Sequence, residues 1–434
     1  MFSRFLKFIV PPFTFRAFFR RIFYSNLKKV PLNKPLLFVG NHQNSFMDGI
    51  LVGSYLPQPL HFTMRADMFR KPFARFCLRE LNVTPVYRAE EGMENVHRNL
   101  ESFDAIYEIL RKNGNFIMFS EGICIQEKRL HPLRKGTARL AFGAEEKFGL
   151  DVHIVPVGIN YTYPSRFRKE VMINFHEAFS IKELRGIYDE HPARALNVFN
   201  QKCKDSLLKE VIIIEDPEND WLAEQLLRME RNNIVHPFFK WRFDTDDRRL
   251  AEKRVGEKVN QLSKTSKPDL QLLSKKVENY VNLLANNRLR DENVARKLNW
   301  GFFRYAAIIA GLPVFIAGFI ANLIPFIIPK IVCDKLIKDL RFYSSVFIGG
   351  FTLLYLIYFL VLLILGGVLA GWKGILLVLL VPLSGYFVLY YQEILWERLR
   401  TLRFSLKKIF DPSLIKELFL QRRSIMDVLD KVRV

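Results

Sequence analysis

Two long apolar segments near the carboxyl end of the chain, residues 345–371 and 374–392, limit the possible folds more than any other feature. Each is long enough to cross about 30 Å of hydrocarbon as an α-helix. The sequence Gly-Trp-Lys-Gly at 371–374 separates them, so we expect a membrane hairpin over 345–392. A third apolar segment, 305–329, contains two prolines and is compatible with a spanning helix, a re-entrant or interfacial hairpin, or a buried core helix.

Basic residues flank the expected hairpin on both sides. Four precede it, namely Lys330, Lys335, Lys338 and Arg341, and five follow it, namely Arg398, Arg400, Arg403, Lys407 and Lys408. Segments rich in lysine and arginine next to membrane spans stay on the cytoplasmic side. The sequence therefore predicts an integral membrane protein with both flanks of the hairpin in the cytoplasm.

The composition favours a membrane partner over a nucleic acid. The net charge is +21, from 65 Lys and Arg against 44 Asp and Glu, and such a surface suits either kind of polyanion. The apolar segments and 39 phenylalanines favour the membrane, since no nucleic-acid-binding motif accompanies the charge. The four cysteines have neither metal-site nor disulfide spacing, which predicts no metal and a reducing setting.

The amino-terminal residues 1–29 combine phenylalanines with arginines and lysines, and no acidic residue occurs before Asp48. This pattern predicts a basic aromatic segment at the membrane interface, with a helix packed on the following domain as the alternative.

Strand-like and helix-like patterns alternate in the next part of the chain. The expected strands are 36–40, 60–65, 83–87, 115–119, 153–158 and 170–175, and the most regular helical patterns are 92–112 and 137–147. Alternation of this kind predicts an α/β domain over 30–185, with a mostly parallel or mixed sheet flanked by helices and active residues at strand ends.

Three further regions are expected in the remaining chain. A charged helical region is predicted at 186–300, where periodic leucines in 269–284 indicate a packing face. A membrane region at 301–396 and a basic cytosolic tail at 397–434 follow.

A histidine and a carboxylate stand at the end of the first expected strand. Residues 41–48 read Asn-His-Gln-Asn-Ser-Phe-Met-Asp and follow the apolar run 36–40 directly. His42 can take a proton from a hydroxyl group, and Asp48 can fix its tautomer and steady the imidazolium. On one regular helix this pair would not touch, so a helix starting near Asn44 or Ser45 is expected, with His42 on the preceding loop.

Three more strand ends follow in chain order, at 83–88, 119–122 and 154–158. Together with the His/Asp pair, this series resembles the glycerolphosphate/lysophosphatidic acid acyltransferase superfamily over residues 30–185. Two differences stand out: five residues rather than four separate His42 from Asp48, and the third block reads Phe-Ser-Glu-Gly-Ile-Cys, without the family's usual arginine.

The resemblance implies a membrane-bound enzyme that moves a fatty acyl group from acyl-CoA or acyl carrier protein to a hydroxyl of glycerol 3-phosphate or lysophosphatidic acid. It makes His42 the general base and Asp48 its partner. Arg88 of the second block would contact the acceptor phosphate, and Glu121 and Gly122 of the third block would help hold the acceptor. No cofactor is implied, and the catalytic domain would lie on the cytoplasmic side.

The missing third-block arginine leaves a phosphate without one expected contact. Four basic residues lie just downstream, Lys128, Arg129, Arg134 and Lys135, and we expect Arg134 and Lys135 to substitute. Two rival functions stay open, a lipid-ester hydrolase and a non-catalytic membrane scaffold. The lack of a Gly-x-Ser-x-Gly motif argues against the usual hydrolase.

Overall fold

The computed structural model describes residues 10–86, 98–296 and 302–432. The chain divides into two compact units. Unit 1 consists of Met1–Val211, Trp241–Asp246 and Ile337–Ile348, and unit 2 consists of Ile212–Lys240, Asp247–Leu336 and Gly349–Val434.

Unit 1 is built on one sheet. Its described strands are β1 (Phe19–Ser25), β2 (Leu36–Gly40), β3 (Leu60–Arg65), β4 (Val83–Val86), β5 (Asn115–Met118), β6 (His153–Tyr161), β7 (Lys169–Phe175), β8 (Phe179–Ser180) and β9 (Arg242–Phe243). The order is β4-β3-β5-β2-β6-β7-β1-β9, and β8 pairs with β6. The five neighbouring strands β4, β3, β5, β2 and β6 are parallel to one another. Strand β7 runs antiparallel to β6 and parallel to β1. The prediction of an α/β domain with a mixed sheet is confirmed.

Helices cover the sheet of unit 1. They are α1 (Arg16–Phe18), α2 (Phe46–Ser54), α3 (Pro72–Glu80), α4 (Arg98–Arg111), α5 (Gly136–Phe148), α6 (Arg185–Glu190) and α7 (Pro192–Glu210). Helix α7 buries Ala195, Phe199, Cys203 and Leu207 in the same core as β2 and β6. These residues are four apart and so share one helix face. The compact unit therefore continues past the predicted domain end at residue 185.

Strand β1 was not expected from the sequence. Phe19, Ile22 and Phe23 are each at most 1% exposed, and β1 pairs with β7 and β9. The prediction of a membrane-interface segment at 1–29 is therefore wrong for residues 19–25. The sequence did not indicate this strand. Both faces of β1 are largely covered, so apolar and polar residues do not alternate along it.

Unit 2 contains α8 (Asp220–Asn233), α9 (Asp247–Thr265), α10 (Lys267–Asn286), α11 (Asp291–Ala295) and α14 (Pro412–Lys431). As expected, α10 has an apolar packing face, which includes Leu270, Leu273 and Val277. Helix α14 packs against α10 and buries Leu414, Ile415, Leu418, Ile425 and Leu429. Residues 412–431 therefore form a packed helix rather than the predicted tail.

Two long apolar helices, α12 (Phe302–Leu336) and α13 (Leu340–Phe410), complete the fold. Both are long and apolar enough to cross a membrane. Helix α13 is interrupted at Gly371, whose φ of 58° and ψ of −143° are not helical. Beyond that point Gly374 lies directly against the backbone of Gly366, so closely that no side chain would fit. The chain therefore reverses at Gly371, where the sequence predicted the turn, and the placement of this hairpin in a membrane stays a prediction.

Helix α12 runs as one helix although it contains Pro313, Pro325 and Pro329. Near its start, the Tyr305 hydroxyl donates to the Arg398 carbonyl (3.4 Å), at the open end of the hairpin. Its middle residue Asn322 donates to the Ser384 hydroxyl (3.1 Å), which lies much nearer to the turn at Gly371.

The second half of α12 returns toward the open end of the hairpin. Pro329 lies against Gly350, and only three residues separate Leu336 from the start of α13. Because prolines remove backbone hydrogen bonds, they permit the bend this path requires. Of the three possibilities for 305–329, these contacts favour the re-entrant one.

Candidate active site

The parallel arrangement of three neighbouring strands brings three polar residues together. His42 follows β2, Glu121 follows β5 and Tyr161 ends β6, and these three strands are parallel neighbours. Their carboxyl ends therefore meet at one edge of the sheet, where sites of α/β proteins form.

His42 and Asp48 are in direct contact. The Nδ1 atom of His42 lies 2.8 Å from Oδ2 of Asp48. Helix α2 begins at Phe46, so His42 stands on the loop and Asp48 in the first turn, as the sequence predicted. Ser45 joins the two with a φ of 46°, a conformation that non-glycine residues rarely adopt. This irregular loop is what allows residues six positions apart to touch.

The carboxylate of Asp48 is buried and fully hydrogen-bonded. Its side chain is 0% exposed. Besides His42, Oδ2 accepts from the backbone N–H groups of Gln43 (2.9 Å) and Asn44 (2.8 Å), and Oδ1 accepts from the Tyr161 hydroxyl (2.7 Å). Burial, followed by the nearby Asp48 charge, raises the pKa of Tyr161 well above its usual value. Tyr161 is therefore a neutral phenol that donates to Asp48.

This environment determines the tautomer of His42. An ionised Asp48 only accepts, so Nδ1 of the imidazole carries the proton and Nε2 is free to take one. The ring stacks on Phe119, with centroids 4.1 Å apart and planes 11° apart. The side chain stays 19% exposed, and Nε2 has no hydrogen-bond partner among the described residues. His42 is thus held with Nε2 accessible to accept a proton, the arrangement that general-base catalysis requires.

Glu121 binds the protein backbone. Its Oε1 accepts from the N–H of His42 and its Oε2 from the N–H of His131, both at 3.0 Å. The residue is 4% exposed, and burial raises the pKa of its carboxyl although the two hydrogen bonds oppose the shift. Glu121 therefore connects the loop 122–131 to the backbone of His42. Its predicted contact with the acceptor stays a prediction.

Gly122 lies beneath Arg134. Its φ of 68° is left-handed, and a Cβ there would come within 2.8 Å of Cδ and Nε of Arg134. The left-handed backbone favours glycine here, and any larger residue would also displace the Arg134 side chain. Arg134 and Lys135 are exposed, and within the described ranges neither side chain has an ion-pair partner. The structure thus places Arg134 beside the third block, where the substitute cation was expected.

Cys124 occupies the position of the family's third-block arginine. Its Sγ accepts from the backbone N–H of Ser45 (3.2 Å), within the His/Asp motif. Burial, and then the charge of Asp48, raises the pKa of the thiol to about 12, so it is protonated at neutral pH. Arg88 lies outside the described residues, and its predicted phosphate contact stays a prediction. Over the described part of the chain, no group of three or more His, Cys, Asp or Glu side chains is arranged to hold a metal ion.

Sequence reasoning missed Tyr161 because its strand was expected to end at residue 158. The strand continues to Tyr161, paired with Val171 of β7. A hydroxyl-bearing residue at the end of a strand next to the His/Asp strand was the available signal.

Unit 1 thus combines an α/β sheet with an Asp–His pair at parallel strand ends, and the chain also contains long apolar helices. Residues 21–160 match the family model for the acyltransferase domain. Over these residues the chain is similar to the acyltransferase domain, in agreement with the resemblance of residues 30–185 to the glycerolphosphate/lysophosphatidic acid acyltransferase superfamily.

Two curated relatives match part of the domain. Glycerol-3-phosphate O-acyltransferase 1 of Saccharomyces cerevisiae is 34% identical over 88 residues, which is 20% of this chain and 12% of the relative. Glycerol-3-phosphate O-acyltransferase 2 of the same yeast is 26% identical over 111 residues, 25% of this chain and 15% of the relative. The matched segment therefore spans only a small part of these relatives.

Among solved structures, the 1-acyl-sn-glycerophosphate acyltransferase of Thermotoga maritima aligns with 45% of this chain and 80% of its own. The TM-score is 0.31 and the sequence identity is 22%.

Proposed function

We propose that the protein transfers a fatty acyl group from a thioester, acyl-CoA or acyl carrier protein, to a hydroxyl of glycerol 3-phosphate or lysophosphatidic acid. The observation that carries the proposal is the contact between His42 and the buried Asp48, which leaves Nε2 of His42 free to accept a proton. The acyltransferase match and the glycerol-3-phosphate O-acyltransferase activity for which the two yeast relatives are named support it.

The reaction needs no covalent enzyme intermediate. The acceptor hydroxyl gives its proton to Nε2 of His42 as its oxygen attacks the thioester carbonyl. Asp48 stabilises the imidazolium that forms, and Tyr161 and two backbone N–H groups hold the carboxylate in place. The carbon–sulfur bond then breaks, and the imidazolium returns its proton to the departing thiolate.

Arg134 and Lys135 are the proposed contacts for the acceptor phosphate, together with Arg88. A guanidinium group suits this role because it is always charged and can donate two parallel hydrogen bonds to phosphate. Arg134 is exposed above Gly122 and next to Glu121, which itself contacts His42. A phosphate bound there would bring its neighbouring hydroxyl toward the imidazole.

The decisive experiment measures release of the thiol from an acyl thioester by the full-length protein in lipid vesicles. Acceptors are offered separately: none, glycerol 3-phosphate, or lysophosphatidic acid. We expect release only with an acceptor and a drop of about 10²–10⁴ in rate for His42→Ala. His191→Ala, on an exposed histidine of unit 1, is the control.

Each rival function has its own outcome. Thiol release without any acceptor would identify a hydrolase. No release under any condition would support a scaffold. A His42→Ala protein that transfers at the wild-type rate would remove the catalytic role of His42.

We also propose that unit 1 lies on the cytoplasmic side and that only the two arms of α13 cross the membrane. Basic residues flank the hairpin at both ends, and no acidic residue lies at the turn around Gly371. The bent path of α12 supports the idea that this helix enters and leaves on one side.

Single cysteines at exposed positions test this topology with an impermeant thiol reagent on sealed cells. Lys373→Cys should label from outside, whereas Lys112→Cys and Lys335→Cys should label only after the cells are opened. External labelling of Lys335→Cys would mean that α12 crosses the membrane, and labelling of positions 112 and 373 from one side would exclude the hairpin topology.

A further inference from the structure

The first residues of α13 differ from the rest of that helix. Ser344, Phe347 and Ile348 are 0%, 3% and 4% exposed, and they belong to unit 1. Further along, apolar residues such as Leu360 are largely exposed (58%). The start of the apolar helix is therefore packed into the acyltransferase unit.

Three hydrogen bonds attach this helix start to two loops of unit 1. Nη1 of Arg341 donates to the Cys124 carbonyl (2.8 Å), and Nε2 of Gln126 donates to the Leu340 carbonyl (3.1 Å). The Ser344 hydroxyl donates to the Pro164 carbonyl (2.6 Å). The first two bonds hold the loop after β5, and the third holds the loop after β6.

The loop after β5 is bonded in turn to the His/Asp motif. The Ile125 N–H donates to the carbonyl of His42 (3.0 Å), and Sγ of Cys124 accepts from Ser45 (3.2 Å). Cys124 is itself bonded to Arg341 of α13, and Ile125 lies between Cys124 and Gln126, which are both bonded to α13. A shift of this loop would therefore move the backbone that carries the imidazole.

The loop after β6 is bonded to the motif through a shared atom. The Pro164 carbonyl accepts from Nδ2 of Asn44 (3.1 Å) as well as from Ser344. Phe342 also packs against Phe46, with ring centroids 6.0 Å apart. The helix start thus borders the segment 42–48 on both sides.

Asp339 orients the guanidinium group of Arg341. Its Nε and Nη2 donate to the carboxylate of Asp339 (2.8 and 2.6 Å), which leaves Nη1 for the Cys124 carbonyl. A planar guanidinium can satisfy both partners at once, whereas a lysine ammonium cannot reproduce this geometry.

We propose that Arg341 and Ser344, at the start of the long apolar helix, are positioning residues of the acyl-transfer site. They touch no reacting atom, and they act by holding the two loops that border His42 and Asp48. The site is therefore assembled where the chain passes into its membrane helix. The role of these residues in the reaction rests on the proposed function.

The first test compares full-length variants in lipid vesicles. Arg341→Ala and Ser344→Ala should each lower kcat about tenfold, since a hydrogen bond that places the base is lost, and the KM values for donor and acceptor should change little. Arg341→Lys should recover part of the loss. Lys338→Ala, an exposed cation of the same segment, should behave as the wild-type protein.

The second test needs no turnover. Alkylation of Cys124, followed by mass spectrometry of its peptide, should be several-fold faster in Arg341→Ala than in wild type or Lys338→Ala, because the loop is released. Unchanged kcat and unchanged alkylation in Arg341→Ala and Ser344→Ala would overturn the proposal, even if either variant melts at a lower temperature. A wild-type protein without any transfer activity would instead refute the proposed function, and the alkylation result would still decide whether α13 holds the loop.

Discussion

The His/Asp motif and the apolar hairpin solve opposite problems of solvation. Around Asp48 a charged group is buried completely, and four donors within unit 1 surround its two oxygens. Along the hairpin, apolar side chains such as Val368 and Leu369 are 78% and 81% exposed within the protein. A buried charge without partners and an apolar surface facing water would both be unfavourable.

The difference shows that one region of the chain is suited to a polar protein interior and the other to lipid. The motif supplies its own polar environment from protein groups, so it can exclude water around the buried carboxylate. The hairpin supplies nothing to water and is stable only if lipid covers its surface. Substitutions of Asp48, Leu360, Tyr161 and Glu121 each alter one side of this contrast.

The largest effect is expected for Asp48→Asn. The asparagine amide keeps the shape of the carboxylate, but its NH₂ group would face a donor from which the carboxylate accepted a hydrogen bond. The imidazolium of His42 would also lose its counter-charge. We expect the rate of acyl transfer in vesicles to fall by about 10²–10⁴. Asp104→Asn, at a carboxylate that is 64% exposed, is the control and should change the rate little. A loss smaller than about threefold would show that the buried charge is dispensable.

Leu360→Arg tests the lipid side of the comparison. If this half-exposed side chain lies in the bilayer, the charge opposes insertion by about 2.5–3.5 kcal/mol. Leu272→Arg is a matched control, because Leu272 in α10 is 53% exposed and Leu360 is 58% exposed. We expect only Leu360→Arg to reduce the alkali-resistant membrane fraction. Equal behaviour of the two variants would mean that residue 360 faces water.

A smaller effect is expected for Tyr161→Phe, which removes one donor from Asp48. Loss of a hydrogen bond to a charged group corresponds to about 1.5–3 kcal/mol, and we expect kcat to fall roughly tenfold. Tyr24→Phe is the control, since Tyr24 is also buried and donates to the Val52 carbonyl (2.5 Å). Equal losses of kcat in both variants would reduce Tyr161 to a packing residue.

The smallest effect concerns Glu121 and pH. Its folded pKa is raised by burial, so between its unfolded pKa and its folded pKa the folded state binds more protons. Stability must therefore decrease as pH rises through that window. Glu121→Gln should remove this contribution, making the thermal midpoint in detergent less dependent on pH just above about 4.5. The same slope in both proteins would contradict the assigned shift.

Much of this arrangement was predictable from local sequence. The strand at 36–40, the loop position of His42 and the first-turn position of Asp48 follow from an apolar run next to a helix-starting sequence. The hairpin follows from the length of its two arms and the glycines between them. In each case the signal lies within about 30 neighbouring residues, so no distant contact is needed to read it.

Other features depended on partners far away in the chain. Strand β1 is buried between β7 and β9, and no pattern within residues 19–25 reveals that both of its faces are covered. The bond from Tyr161 to Asp48 joins residues 113 positions apart. Arg341 and Cys124 are 217 positions apart, and their contact exists only because the start of α13 folds onto unit 1.

The sequence by itself determined the chemical groups of the site and the segments suited to lipid, because residue type and short-range spacing carry that information. Only the tertiary structure decided which groups hold the His/Asp pair. Glu121 accepts from two backbone N–H groups, which the sequence did not indicate, while its expected contact with the acceptor stays a prediction. A carboxylate acquires its role from the donors that surround it, and here Glu121 is bonded to the backbone at positions 42 and 131, which the fold alone brings together.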